Sequence, residues 1–301
     1  MQKQTTGLRF FPEFAGGKWK KAAFLAALFL TLQTQAQEAK QLVILHNNDT
    51  HSRIEPLPEK DSVYPGKGGI VRQNACVEEV RRENENVLLF HCGDFVQGTP
   101  YFNLFKGQVE IACMNFMKYD AACLGNHEFD YGLDNLAEMI QAAEFPVVAT
   151  NLDFTGTAME GLTHKYLVLR QNGLKIGVIG LTVSPQDLIA LPNYEGMAYL
   201  DPVRSANEAA AFLKAEENCD LVVCLSHLGY FPAENETGDI TLAKESSDID
   251  LILGGHTHTF LDVADSQLNR KGEKVIINQV GDRGIYMGRL DILLETRSVS
   301  Q

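Results

Sequence analysis

The sequence predicts a layered α/β fold, and three observations support this prediction. Apolar runs recur along the chain without alternating with polar residues, as expected for strands that are covered on both faces. Amphipathic helical patterns lie between these runs. Side chains that commonly bind metal ions follow directly after five of the runs. Strands that alternate with helices indicate a sheet with helical layers packed on it.

Each element is predicted from a particular segment. The predicted strands occupy residues 42–46, 87–90, 121–124, 146–149, 176–181, 221–225 and 251–253. The predicted helices occupy residues 70–84, 109–117, 133–143 and 202–217, where apolar residues recur at helical spacing. Near the end, 274–279 and 285–294 look like consecutive strands around a Gly-Asp-Arg-Gly turn, which predicts a hairpin. Residues 183–201 are predicted to form a surface loop near the substrate.

The N-terminus has the pattern of a secretory signal. Lys18, Lys20 and Lys21 precede an apolar stretch from Ala22 to Leu32, which is followed by small and polar residues. This apolar stretch is too short to span a bilayer comfortably. We therefore expect residues 1–36 to be a cleaved signal peptide and 37–301 to be the mature domain, periplasmic or otherwise exported, with no stable membrane span. A retained N-terminal anchor is the alternative.

The charge of the chain restricts its partners. The whole chain has a net charge of −13. Residues 1–36 carry five basic residues and one acidic residue, so 21 basic and 38 acidic residues remain after their removal, a net charge of −17. This charge opposes binding to nucleic acid polymers and to anionic membranes. An anionic substrate would need a local positive centre, which bound divalent cations supply.

Metal-binding side chains follow the predicted strands at one end. In open α/β sheets, ligands bind outside the carboxyl ends of the strands, so five loops can converge there. The candidates, in chain order, are Asp49, His51, Asp94, Asn126, His227, His256 and His258. A lone Asp-x-His or Gly-Asp is weak evidence, but Gly-Asn-His-Glu and Gly-His-Thr-His are specific motifs, and five loops in order make coincidence improbable. His46, His91 and His164 are interpreted as core or surface histidines.

The types of residue fit a pair of metal ions. A carboxylate bridges two cations, neutral imidazole suits several divalent metals, and an amide oxygen adds a ligand without charge. Two metals lower the pKa of a shared water and create a nucleophile at neutral pH. His127, beside a predicted ligand, is placed to hydrogen-bond a phosphoryl oxygen. Asp130 is the first candidate to orient this imidazole, and Glu128 is the alternative.

These motifs resemble those of a known family. The stretches His46–His51, Gly93-Asp94, Gly125–Asp130, Ser226–Gly229 and Gly254–His258 are similar to motifs of the calcineurin-like metallophosphoesterases. The resemblance is to the catalytic domain of the 5′-nucleotidase and UDP-sugar hydrolase branch, and it runs from about Leu42 to Leu294.

The resemblance implies a four-layer α/β/β/α sandwich with a dinuclear site at the C-terminal ends of the strands. It assigns Asp49, His51, Asp94 and His258 to one metal, and Asp94, Asn126, His227 and His256 to the other. His127 and Asp130 would be the catalytic pair, and a hydroxide that bridges the metals would attack phosphorus. The metals could be Zn, Mn, Fe, Ni, Co or Mg.

Substrate specificity is less well defined. Relatives that act on nucleotides carry a C-terminal domain that binds the base, and we expect none within residues 37–301. The predicted function is therefore hydrolysis of phosphate monoesters, foremost nucleotides, with a separately encoded specificity domain as a candidate partner. The alternatives are a thiosulfohydrolase-like enzyme, a subunit that needs its partner for activity, and an interaction protein with a vestigial site.

Overall fold

A computed structural model describes residues 39–231 and 237–295 of the 301-residue chain. The predicted signal peptide, residues 1–36, lies outside the described residues. Residues Lys40–Leu294 form one compact unit. Within the described ranges, no helix has both the length and the hydropathy needed to cross a membrane.

The predicted strands and helices are present in the predicted order, and further strands and helices that were not predicted lie between them. The strands are β1 (Ala39–Asn47), β2 (Val87–Cys92), β3 (Ala121–Cys123), β4 (Val147–Val148), β5 (Leu152–Asp153), β6 (Leu167–Gln171), β7 (Leu174–Thr182), β8 (Ala198–Tyr199), β9 (Leu221–His227), β10 (Leu251–Leu253), β11 (Asp265–Leu268), β12 (Lys274–Asn278) and β13 (Gly288–Glu295). The α-helices are α1 (Ile70–Glu83), α2 (Pro100–Phe105), α3 (Gln108–Met117), α4 (Gly132–Ala142), α5 (Pro202–Ala215) and α6 (Asp239–Glu245). Short 3₁₀ helices cover His127–Phe129 and Leu191–Asn193.

Two main sheets organise the described residues. The first has the strand order β13-β1-β2-β3-β4, and β1 to β4 pair in parallel. The second has the order β11-β12-β10-β9-β7-β6, in which β7, β9, β10 and β12 are parallel and both edge strands are antiparallel. The parallel strands of each sheet therefore end at one edge, where the predicted ligands follow them.

Three apolar clusters show how the layers pack. Alternate residues of β1 point to opposite faces, so Val43 and Leu45 join one cluster while Leu42 and Ile44 join another. The first cluster packs the first sheet against α1, α3 and α4, and the second combines residues of both sheets. The third packs the second sheet against α5 and α6. The predicted α/β fold is confirmed.

The predicted C-terminal hairpin is wrong. β12 pairs with β10 and β11 in the second sheet, whereas β13 lies beside β1 in the first. Residues between these strands therefore connect two sheets. β6 and β7 form a hairpin that was not predicted, and it turns at Asn172 (φ 51°) and Gly173 (φ 67°). Asn-Gly is a strong signal for such a two-residue turn, so this hairpin was predictable.

Candidate metal centre

The five predicted loops meet at the edge where the parallel strands end. Asp49 follows β1, Asp94 follows β2, and Asn126 follows β3. In the second sheet, His227 is the last residue of β9, and both His256 and His258 follow β10. In the described residues, three groups have ligand atoms within 4.8 Å of one another: Asp49, His51 and His258; His51, Asp94 and His127; and Asp94, His227 and His256. The structure therefore brings these predicted residues together.

The first group places three donor atoms around one point. Nε2 of His258 lies 3.3 Å from Oδ1 of Asp49 and 3.0 Å from Nε2 of His51. Nε2 of His51 lies 3.9 Å from the same carboxylate oxygen. Asp49 is fully buried, and Asn48 donates its Nδ2 hydrogen to Oδ2 of Asp49 at 2.6 Å. One carboxylate oxygen is thus held by the protein while the other faces the two imidazoles.

The third group, Asp94, His227 and His256, is anchored by His227, which is fully buried. Its Nδ1 lies 2.7 Å from the carbonyl oxygen of Cys92 and donates to it when protonated. This hydrogen bond leaves Nε2 to face Oδ2 of Asp94 at 3.1 Å. Histidines that bind metals commonly donate one ring N–H to a backbone carbonyl, and this hydrogen bond directs the other ring nitrogen to the metal.

Asp94 belongs to two of the three groups, which suits the predicted bridging role. Its other oxygen, Oδ1, accepts a hydrogen bond from the backbone N–H of His127 at 2.9 Å. Neighbouring charge dominates the electrostatics. Burial lowers the pKa of His227, but Asp94 and Asp49 outweigh burial and raise this pKa to about 10. The buried pair of carboxylates therefore creates a strongly negative centre, which divalent cations would neutralise.

The backbone is strained at five of the seven predicted ligands. The φ angles of Asp49, His51, Asp94, His256 and His258 are 49°, 47°, 56°, 74° and 52°. Residues other than glycine rarely adopt this left-handed region, and each instance costs of order 1–3 kcal/mol. Such strain persists only where the surroundings fix the conformation, and it concentrates at functional sites. This backbone strain was not predicted from the sequence.

Glycines allow the loops to approach each other closely. A Cβ on Gly125 would lie 2.7 Å from Nε2 of His227 and 2.7 Å from the backbone nitrogen of Asp94. A Cβ on Gly255 would lie 2.6 Å from the carbonyl oxygen of Cys92. These distances are too short for any side chain, so close packing of the ligands requires glycine at both positions.

Glu128 holds two ligand loops together and does not orient His127. Its carboxylate is fully buried. Oε2 accepts hydrogen bonds from the backbone N–H groups of Asp94 (3.0 Å) and Gly125 (2.5 Å). Oε1 accepts a hydrogen bond from the backbone N–H group of Phe95 (2.8 Å). Burial and the neighbouring Asp94 raise the pKa of Glu128 to about 7, although the backbone donors oppose this shift. Residue spacing alone left this role open.

His127 and Asp130 form the pair predicted first. Nδ1 of His127 lies 3.0 Å from Oδ2 of Asp130, and the side chains are about one-third exposed. Burial opposes the charged imidazole, but the hydrogen bond to Asp130 and the charge of Asp94 outweigh it and raise the pKa of His127. Asn193, in the predicted loop 183–201, donates from Nδ2 to the carbonyl oxygen of Asp130 at 2.9 Å. That loop therefore contacts the pair.

The remaining histidines lie away from the centre or behind it. His46 is fully buried and its Nε2 lies 2.8 Å from Oδ1 of Asn278. Nε2 of the buried His91 lies 3.0 Å from the hydroxyl oxygen of Thr50, which stands between Asp49 and His51. His91 thus supports the first ligand loop from beneath. His164 forms an isolated β-bridge with Val148.

The donor set fits divalent metal ions. It combines two buried aspartates, imidazoles and the amide of Asn126. Oδ1 of Asn126 is buried and accepts no hydrogen bond from the described residues. A buried acceptor without a donor is costly, and a cation would satisfy it. The residues present therefore fit divalent metal ions.

Comparisons with known proteins identify the family of the chain. A family model of calcineurin-like phosphoesterases matches residues 42–260. Human 5′-nucleotidase is 31% identical over 92% of the chain, and the matched part is 50% of that relative. The chain belongs to the calcineurin-like phosphoesterase family, as the sequence resemblance indicated. Phosphoester hydrolysis with divalent metals is the chemistry of this family.

Two solved structures share the fold of the chain. The 5′-nucleotidase precursor of Thermus thermophilus superimposes with a TM-score of 0.76 and 33% identity, covering 84% of this chain and 51% of that one. The calcineurin-like phosphoesterase YfkN of Bacillus subtilis gives 0.72 and 29%, covering 86% and 87%. The chain therefore spans about half the length of the human and Thermus relatives.

Proposed function

We propose that the chain is an exported dinuclear metal-dependent hydrolase of phosphate monoesters, and that nucleotides are its main substrates. The observation that carries this proposal is the set of three ligand groups, which are linked to one another through His51 and Asp94. The group that contains Asp49 would hold one metal and the group that contains His227 would hold the other. Asp94 would lie between the two metals, and Asn126 would complete the ligands of the second metal. His127 lies beside both and is the group left to act on the substrate.

The roles of the side chains follow from their contacts. When bound, two divalent cations would activate water and offset the charge of the phosphoryl oxygens. Asp130 holds Nδ1 of His127, so the opposite nitrogen, Nε2, is directed to the substrate. The raised pKa of His127 favours an imidazolium, which would stabilise the charge that develops on phosphoryl oxygen and protonate the leaving oxygen.

Nucleotide substrates are supported by the relatives. The human relative and the Thermus structure are both named 5′-nucleotidases. Because the chain spans about half of each, further determinants of specificity could come from a separate domain or partner. The N-terminal basic and apolar pattern supports export, with residues 1–36 as the cleaved signal.

A hydrolysis screen tests the proposal. The metal-loaded chain should release phosphate from nucleoside monophosphates, and UDP-glucose, 2′,3′-cyclic nucleotides and p-nitrophenyl phosphate would define its range. Hydrolysis of sulfonated thiols without any phosphate release would favour the thiosulfohydrolase-like alternative. Bound metal without hydrolysis of any ester would favour the subunit that depends on a partner, and the absence of bound metal would favour a vestigial site.

A further inference from the structure

We propose that Phe260 and Tyr286 form an aromatic platform that binds the planar ring of the leaving group, such as a nucleobase. This inference rests on the proposed function and adds a substrate subsite to it. The platform belongs to the same chain as the metal ligands, so this chain would bind part of the nucleoside itself.

The two rings form an ordered stack at the surface. Their centroids lie 4.2 Å apart with an angle of 26° between the planes. Tyr64 packs edge-on against Tyr286, at 6.1 Å and 89°. The guanidinium group of Arg283 lies 5.9 Å from the centre of the Tyr64 ring. These contacts hold the platform in one orientation, which lowers the entropic cost of binding a flat ligand.

The stacked rings remain exposed although they are large and apolar. Phe260 is 45% exposed and Tyr286 is 38% exposed. Both border a groove of about 660 Å³ whose lining includes residues of β12 and β13. Pockets for small molecules commonly have volumes of about 300–1,000 Å³ and are lined by aromatic and apolar side chains with a few polar groups. Asn278 and Asp262 provide polar groups in this groove.

Covalent and polar links tie the platform to the metal centre. Phe260 follows the predicted ligand His258 by two residues, so their Cα atoms are at most about 7 Å apart. Oδ2 of Asp282 lies 3.6 Å from Nδ1 of His258 and accepts a hydrogen bond from Nε of Arg283 at 2.9 Å. The backbone N–H of Arg283 donates to the carbonyl oxygen of Asp49 at 2.7 Å. The platform is therefore positioned relative to both Asp49 and His258.

Its chemistry favours a planar aromatic ligand. Aromatic faces stack on any nucleobase because each base presents a π-surface, and stacking does not require a particular hydrogen-bond pattern. A sugar or a short aliphatic alcohol offers no such surface. The platform should therefore favour phosphate esters that carry an aromatic ring over those that do not, and it should discriminate only weakly among the nucleobases.

Paired substrates test the subsite separately from catalysis. Adenosine 5′-monophosphate and ribose 5-phosphate carry the same phosphate on the same sugar and differ in the base. In Phe260→Ala and Tyr286→Ala, kcat/KM for the nucleotide should fall roughly 5- to 100-fold. In both variants, kcat/KM for ribose 5-phosphate should equal that of the unaltered chain. Phe116→Ala, which removes an exposed aromatic ring on α3, is the matched control and should change neither value.

Two outcomes would overturn the subsite. Equal losses for both substrates would mean that the substitutions damage the metal centre, and no loss for either would mean that the rings serve another purpose, such as contact with a partner protein. If the unaltered chain hydrolyses neither substrate, the proposed function fails. Equilibrium binding of adenosine, which has no phosphate, then still tests the platform, because both alanine variants must bind it more weakly than the unaltered chain.

Discussion

Replacing Glu128 should separate the two loops that carry Asp94 and Asn126. Glu128→Ala leaves three buried backbone N–H groups without an acceptor, those of Asp94, Phe95 and Gly125. Each unsatisfied donor costs about 1–3 kcal/mol, so the total approaches about 3–9 kcal/mol. A typical domain is stable by about 5–15 kcal/mol, and this variant should therefore be close to unfolding at room temperature.

Glu128→Gln is the milder form of the same perturbation. Its amide oxygen can occupy the position of Oε2 and keep the bonds from Asp94 and Gly125, while its NH₂ group replaces Oε1 opposite the N–H of Phe95. One donor loses its acceptor, which predicts a loss of about 1–3 kcal/mol. Because this donor directly follows Asp94, the variant should also retain less metal.

Urea unfolding and elemental analysis measure both effects. The free energy of unfolding should decrease in the order unaltered chain, Glu128→Gln, Glu128→Ala, and metal content should follow that order. Glu138→Gln makes the same change of charge at an exposed position on α4, and should alter stability by less than about 0.5 kcal/mol. The reasoning is refuted if Glu128→Ala unfolds at the same urea concentration as the unaltered chain and binds as much metal.

The site supports three further predictions. His127→Ala should keep its bound metal but lose turnover by roughly 10²–10³-fold, as when one donor to a developing oxyanion is removed, and an unchanged rate would contradict its role. Asp94→Ala should lose both bound metals, and full metal occupancy in elemental analysis would exclude a bridging role for Asp94. Burial raises the pKa of Asp239 to about 7, although Ser226 and His227 oppose the shift. At Asp239 the native state therefore binds up to one more proton than the unfolded state between about pH 4 and 7, and the contribution of this group to stability should fall as the pH rises through this window, by up to about 1.4 kcal/mol per pH unit. Urea unfolding of the chelated protein at pH 5 and pH 7 measures this contribution. Over this interval, the free energy of unfolding should fall further in the unaltered chain than in Asp239→Asn, and an equal change in both would contradict the assignment.

The parallel strands and the ligand loops could be predicted because both depend on local sequence. A buried parallel strand is a continuous apolar run, and a metal ligand must be one of a few residue types directly after it. His227 and Asp94 were therefore identifiable without any knowledge of which strands are neighbours. The specific motifs around Asn126 and His256 made the family resemblance possible.

Other features depend on pairing between distant segments and could not be read from the sequence. β12 and β13 are close in sequence, but each finds its partners in a different sheet. The direction of the Glu128 side chain depends on the backbone of the Asp94 loop, which is distant in sequence. The subsite residues Phe260 and Tyr286 are also 26 positions apart, so nothing local indicates that their rings stack.

The most direct test of the dinuclear site is a metal titration of the chelated chain that follows bound metal and phosphate release from adenosine 5′-monophosphate together. Two metals that share Asp94 should bind per chain, and phosphate release should appear only as the second equivalent binds. Full hydrolysis with one bound metal, or hydrolysis that persists in excess chelator, would contradict a dinuclear mechanism.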